Sequence, residues 1–188
     1  MARRTSTPAS RAFRRCRSAE VAVRPISRGE LDAVSRDLFE RPESVHRERL
    51  DQQDQGGFLY LVAWSGRHAV GHVFVGWDPR DVVHWIERRM EPWVRDLWVR
   101  PEHRRRGIGR ALMERAEYEL RSRGFRSLWL DTGIDEGYAA ARAMYEGMGY
   151  RRASGDFVIS ARIPPEVESD RAWVDIVFQM SKSLTGVS

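Results

Sequence analysis

The chain has 188 residues, 41% of them hydrophobic and seven of them Trp, enough for one folded domain with a substantial core; a single Cys, Cys16, excludes an internal disulfide or a cysteine-built zinc site. No apolar run approaches the ~20 residues that cross a bilayer, and the five histidines lack a spacing such as H-E-x-x-H, so neither a membrane nor a metal is expected. The net charge of +5 comes from six arginines in the first 17 residues, which hold no acid; the rest sets 26 basic residues against 27 acidic, and without a recognition motif nucleic acid is not an expected partner.

In chain order, residues 1–18 are expected to form a basic, disordered, solvated arm and 19–188 a single domain. The arm is Arg- and Ser-rich and acid-poor, as transit peptides are. Arg outnumbers Lys 31 to 1 over the whole chain, however, which points to a G+C-rich genome and to a bacterial cytoplasmic protein. Val21 to Arg24, before Pro25, reads as a strand. Ser27 and Glu30 form a capping pattern ahead of a helix striped by Leu31, Val34 and Leu38, and a second helix covers Pro42 to Gln52. Phe58 to Trp64 and His68 to Trp77, joined by Ser65-Gly66-Arg67, read as a hairpin, with His68 and His72 as exposed or satisfied structural residues. Between Asp78 and Pro92, Val82, Trp85, Ile86 and Met90 share one side of a helical wheel. Trp93 to Val99 reads as a strand, and Gly107 to Arg123 as a helix striped by Ile108, Leu112, Ala116 and Leu120 and ended by Gly124. Ser127 to Asp131 reads as a strand, and Trp173 to Met180 as an alternating strand.

The most informative turn is Arg104-Arg105-Arg106-Gly107-Ile108-Gly109, between a strand and a helix. The unpaired N–H groups and positive dipole end of a helix's first turn attract anions, phosphates above all. Two common phosphate motifs fail: G-x-G-x-x-G needs glycine where Leu112 stands, and G-x-x-x-x-G-K-[ST] is absent. What remains, R-x-x-G-x-G after Asp96-Leu97-Trp98-Val99, resembles the acetyl-coenzyme A motif of the GCN5-related N-acetyltransferase (GNAT) family. Ala141-Arg142-Ala143-Met144-Tyr145-Glu146-Gly147-Met148-Gly149-Tyr150 resembles that family's A-x-x-x-Y-E-x-x-G-[FY] helix ending. The two blocks stand in the family's order, and the resemblance spans roughly Val21 to Leu184.

The resemblance implies an α/β fold: a mixed, mostly antiparallel sheet of six to seven strands, helices on both faces, and a central parallel pair, Trp93 to Val99 beside Ser127 to Asp131, that splays apart. It implies transfer of acetyl from acetyl-coenzyme A to a primary amine of a small molecule or protein, without a metal; the alternative on the same scaffold is a catalytically weak acyl-coenzyme A-binding module. Backbone N–H groups from Arg105 and Arg106 through Gly107, Ile108 and Gly109 to Arg110 would cradle the pyrophosphate. Arg104 holds the family's Gln/Arg position, and the backbone of Leu97, Trp98 and Val99 would pair with the pantetheine arm. Tyr145 matches the family's general acid toward the leaving sulfur, and a phenol of pKa about 10 stays protonated at neutral pH. Asp96 lies near where the family often keeps the carboxylate that takes the amine's proton, though a carboxylate there equally pairs an arginine; Glu87, Glu91 and Asp131 are weaker candidates. Tyr138 replaces the family's usual Asn and either stacks on the cofactor or packs. Many relatives dimerise, so a homodimer is among the expectations, and Asp51, Asp54, Asp78 and Asp81 would suit a cationic acceptor or are simply scattered surface acids.

Overall fold

The computed structural model describes residues 21–78, 91–153, 158–162 and 173–185. The expected arm and the helical stripe at 82–90, with Asp81 and Glu87, lie outside the described residues.

The elements are β1 (Val21–Pro25), α1 (Leu31–Asp37), α2 (Glu43–Asp54), β2 (Phe58–Ser65), β3 (His68–Gly76), β4 (Trp93–Val99), α3 (Ile108–Ser122), β5 (Ser127–Gly133), α4 (Ala139–Gly147), β6 (Arg151–Arg152), β7 (Val158–Arg162) and β8 (Trp173–Ser183). They build one sheet in the order β1-β2-β3-β4-β5-β8-β6, with β7 also on β8. Because β6 and β7 pair with different stretches of β8, on the edge opposite β5, eight strands occupy seven positions. Every pairing is antiparallel except β4 with β5.

Strand alternation divides the core into two layers. Leu59, Leu61 and Ala63 of β2 face Leu112, Met113, Ala116 and Leu120 of α3. Phe58, Tyr60, Val62 and Trp64 face Leu31, Val34, Leu38 and Leu50 from the α1 and α2 side. The run Phe58-Leu59-Tyr60-Leu61-Val62-Ala63-Trp64 is buried throughout because both faces are covered. The expected α3 stripe is buried, each large side chain contributing at most about 1.5–3 kcal/mol.

Local signals set the ends. Ser27 donates its N–H (3.0 Å) and hydroxyl (2.8 Å) to Glu30, but the first turn, Arg28–Glu30, is a 3-10 turn, so α1 begins a turn later than the capping pattern predicts. At the far end of α3, Gly124 takes φ 87° and Phe125 N–H reaches Leu120 O at 3.1 Å, a glycine C-cap.

One irregularity positions the site. Phe74 lies opposite Asp96 and Val75 opposite Val94, so Arg95 is an extra residue on β4. Alternation changes phase there: Val94, Leu97 and Val99 pack against the α3 side, and Trp98 against the α1 and α2 side. Without the bulge Asp96 would turn away from α2, whose Arg49 it binds.

Candidate active site

β4 and β5 are registered only at Trp93↔Trp129 and Val94↔Leu130. Beyond those pairs the strands part, and the β5-facing edge of β4 from Asp96 to Val99 has no ladder partner from β5. The start of α3 lies just past that edge. Gly107, its N-cap, takes φ 81°, and Arg105 takes φ 60°, a left-handed conformation uncommon outside glycine. Ala111 N–H to Gly107 O, at 3.0 Å, is the first helical bond. The N–H groups of Ile108, Gly109 and Arg110 precede it and carry the positive end of the helix dipole.

The arginines divide their work. Arg104 Nε donates to Val99 O at 2.9 Å and its guanidinium lies 6.0 Å from the Trp98 ring centre, so this residue braces the turn against β4. Arg105, Arg106 and Arg110 are exposed around the helix start. Gly109 has a packing reason beside the expected phosphate-approach reason: a Cβ there would stand 3.2 Å from Met144 Sδ and 3.9 Å from Val99 Cγ2. A left-handed glycine cap, N–H donors before the first helical bond, exposed arginines and an unladdered strand edge together fit a pyrophosphate with an amide-bearing arm.

Tyr145 of α4 is 6% exposed and meets Tyr150 edge to face with ring centres 5.8 Å apart. Burial, with the Asp96 charge in addition, pushes its phenol above the usual value, so it is a proton donor across neutral pH. Tyr138 packs on the end of β5, where a Cβ on Gly133 would come within 2.4 Å of its Cδ2. Arg142 Nη1 donates to Gly133 O at 2.6 Å and Asp135 O at 2.7 Å, tying α4 to the same strand end.

Asp96 sits in a polar cluster on the opposite face. Its Oδ2 accepts from Arg49 at 2.7 Å and Arg41 at 3.2 Å, and lies 3.3 Å from His72 Nε2. Burial would raise its pKa, but His72 and the two guanidiniums reverse that and hold it well below the usual carboxylate range. A carboxylate so held is a weak base and a strong anchor. On the other side of His72, Nδ1 lies 3.4 Å from Glu40 Oε1 in the corner between α1 and α2. Glu40 is pushed up to about 7, chiefly by burial, with the Asp96 charge adding to it. His46 is held neutral, lowered to about 4 by burial; its Nε2 faces Leu38 O at 3.0 Å, an acceptor, so Nε2 carries the proton and Nδ1 accepts from Tyr60 Oη at 2.6 Å.

The profile of the Acetyltransferase (GNAT) family matches residues 28–150. The chain belongs to the GNAT family. Among curated relatives, the Escherichia coli K12 [ribosomal protein bS18]-alanine N-acetyltransferase is 43% identical over 59 residues, covering 31% of this chain and 38% of that one. Human N-acetyltransferase 8 is 34% identical over 101 residues, covering 54% and 42%. The chain thus spans less than half the length of these GNAT relatives. Among solved structures, the Escherichia coli ribosomal-protein-S18-alanine N-acetyltransferase superposes with a TM-score of 0.62 at 19% identity, covering 89% of this chain and 96% of that one. An acetyltransferase from Salmonella typhimurium solved with its cofactor acetyl-CoA gives a TM-score of 0.61 at 17% identity, covering 90% and 96%. Both show the shared GNAT fold.

On this GNAT scaffold Gly109 at the start of α3 stands beside Val99 of β4 and Met144 of α4, the residue before Tyr145; Tyr138 lies on the end of β5, whereas Asp96 faces α2. Of the acids that would suit a cationic acceptor, the three among the described residues are engaged elsewhere: Arg28 bridges Asp51 and Asp54, each at 2.7 Å, and Asp78 is buried beside Gly57. Glu91 accepts from the Trp129 indole N–H, and Asp131 is exposed. Arg41, Arg49 and Glu40 escaped the sequence, while His72 is the satisfied structural histidine that its strand position suggests. They belong to no motif, and only the packing of the α1–α2 corner on β3 and β4 unites them. Among the described residues no helix is long and apolar enough to cross a membrane, and no group of three His, Cys, Asp or Glu side chains is disposed to hold a metal.

Proposed function

We propose that this chain is an acetyl-coenzyme A-dependent N-acetyltransferase acting on a primary amine by direct attack in a ternary complex. The observation that carries the proposal is the free β4 edge beside the start of α3, where Gly109 stands close to Val99 of β4 and Met144 of α4. Acetyl-coenzyme A, when bound, supplies an acyl carbon activated as a thioester. The N–H groups of residues 105–110 and the side chains of Arg105, Arg106 and Arg110 hold its pyrophosphate. The backbone of Leu97, Trp98 and Val99 binds its pantetheine amides as an added strand would. Tyr145, kept protonated by burial, donates its hydroxyl proton to the leaving sulfur. Asp96 is assigned to holding Arg41, Arg49 and His72 in place, because its bonds and depressed pKa suit an anchor better than a base.

The first acceptor to try is the α-amine of a peptide, since a relative sharing 43% identity over 59 residues is named for the alanine of a ribosomal protein. Incubation with acetyl-coenzyme A and a panel of Ala- and Ser-initiated peptides, polyamines and aminoglycosides, read by mass spectrometry, tests the proposal. Acetylated product that is lost in Tyr145→Phe supports it. Acetyl-coenzyme A binding without transfer to any member of the panel replaces it with an acyl-coenzyme A-binding module.

A further inference from the structure

The run from Tyr145 to Tyr150 closes the end of α4 around the proposed acid. Tyr150 N–H donates to Tyr145 O at 3.0 Å and Gly149 N–H to Glu146 O at 3.0 Å, with Gly149 at φ 91°. This is a Schellman cap, whose geometry brings the residue after the glycine back onto the last helical turn. Here that residue is Tyr150, and its ring meets the ring of Tyr145 edge to face. The spacing of the two tyrosines along the chain is therefore the spacing the cap demands.

Tyr150 is itself pinned. It is fully buried, and its hydroxyl lies 3.1 Å from Glu117 Oε1 of α3. Burial and the Glu117 charge push its phenol well above the usual value, so the hydroxyl is the donor in that bond. Glu117, also buried, accepts from Lys182 Nζ of β8 at 2.7 and 2.8 Å and from Arg121 at 3.1 Å. The same ammonium lies 5.6 Å from the centre of the Tyr150 ring. A buried carboxylate held by donors from α3, β8 and the end of α4 is a fixed point, because shifting it breaks charge-assisted bonds to all of them. The two helices also meet near the start of α3: a Cβ on Gly147 would stand 3.3 Å from Arg110 Nη2, as one on Gly109 would stand 3.2 Å from Met144 Sδ. The helix whose first turn is proposed to hold the pyrophosphate thus carries, further along, the anchor for the ring that packs on Tyr145.

We propose that Tyr150 is a positioning residue for the transfer: clamped by Glu117 and Lys182, it fixes the Tyr145 ring so that the phenol meets the leaving sulfur. This deepens the acetyltransferase proposal and rests on it, and on Tyr145 as its acid. In that step the Tyr145 O–H bond and the thioester C–S bond break, an S–H bond forms, and solvent returns a proton to the phenolate. Such a transfer is steep in geometry, a misplacement of about 1 Å costing on the order of 100-fold. Binding of acetyl-coenzyme A, assigned to the β4 edge and the start of α3, does not call on the Tyr150 ring.

The test is a cycle of Tyr150→Phe and Tyr150→Leu in the wild-type and Tyr145→Phe backgrounds, with kcat and KM measured for acetyl-coenzyme A with an Ala-initiated peptide and with spermidine. A second readout, in the free protein, is the flip rate of the Tyr145 ring, from carbon relaxation NMR of ring-labelled tyrosine. Tyr150→Leu should lower kcat about 10- to 50-fold and Tyr150→Phe, which keeps the ring, about 3- to 10-fold, with KM for acetyl-coenzyme A changed less than about twofold. In the Tyr145→Phe background neither should lower kcat by more than about twofold, because the group they position is already gone. The Tyr145 flip rate should rise several-fold in Tyr150→Leu. Tyr150→Phe leaves Glu117 bound to Lys182 and Arg121, so it decides the cycle if Tyr150→Leu does not fold. Equal losses of kcat in both backgrounds, or a wild-type kcat untouched by either substitution, overturn the positioning role alone, as does a Tyr145 flip rate that a folded Tyr150→Leu leaves unchanged. A Tyr145→Phe enzyme as fast as wild type overturns the acid and this role with it. A wild type that transfers to neither probe overturns the transferase proposal and the role together, whatever the ring does.

Discussion

Glu40→Gln should stabilise the protein at neutral pH. A folded-state carboxyl at about 7, against about 4.3 in the unfolded chain, binds a proton more tightly when folded. Folding is therefore favoured by this group below about pH 4, and that advantage is lost as pH rises through 7. At about 1.36 kcal/mol per unit the ceiling is about 3.7 kcal/mol, and screening by solvent near the partly exposed corner reduces it to about 1–2 kcal/mol. The buried His46 and His72, whose proton affinities are lowered, act oppositely, gaining stability as pH rises toward about 6.5. The difference between wild type and variant cancels their effect. Urea denaturation at pH 5 and pH 8 should show Glu40→Gln gaining about 1–2 kcal/mol on wild type between the two, or roughly 3–6 °C in melting temperature. Parallel curves at both pH values would refute the claim that Glu40 is strained as an anion.

Asp96→Asn should cost about 3 kcal/mol or more at pH 7, because it leaves Arg49, 11% exposed, without its counter-ion; the loss, measured by denaturation, should shrink as pH falls below about 4, where the carboxyl of the unfolded wild type takes up a proton that folded Asp96 still refuses. Tyr145→Phe should lower kcat about 100-fold with acetyl-coenzyme A affinity retained, by steady-state kinetics and calorimetry. Gly133→Ala should destabilise by about 1–3 kcal/mol as its Cβ drives Tyr138 off β5, and Tyr138→Ala in the same chain should recover most of that loss. Lys182→Met should cost about 2–4 kcal/mol in thermal unfolding, since Lys182, the sole lysine, donates at 2.7 and 2.8 Å to Glu117, 3% exposed, leaving Arg121 and Tyr150 as its partners.

What the sequence revealed depended on the range of the interactions involved. The α3 stripe, the Gly124 cap and the hairpin around Gly66 rest on contacts a few residues apart, and they fold where periodicity and turn chemistry place them. Leu97 to Arg110 was legible because the elements proposed to bind the pyrophosphate are contiguous in the chain. Asp96 was legible as a charged residue on the motif strand, but its partners Arg49 and Arg41 stand 47 and 55 residues away, so its role as an anchor was not. The Arg95 bulge, which selects the face Asp96 occupies, leaves no mark in a seven-residue strand without its partner. Glu40 was silent because its significance comes from burial against β3. Tyr138, at a family Asn position, proved to be held by the smallness of Gly133.

The acetyl-coenzyme A site is the centre of the account, and calorimetric titration of the purified chain with acetyl-coenzyme A, beside a Gly107→Glu, Gly109→Glu double variant, tests it most directly. One site is expected on the wild type and none on the folded variant, whose carboxylates would bring negative charge to the same helix N-terminus and whose residue-109 Cβ would meet Met144 and Val99. A folded wild type that takes up no acetyl-coenzyme A, or a variant that binds it equally well, would contradict it.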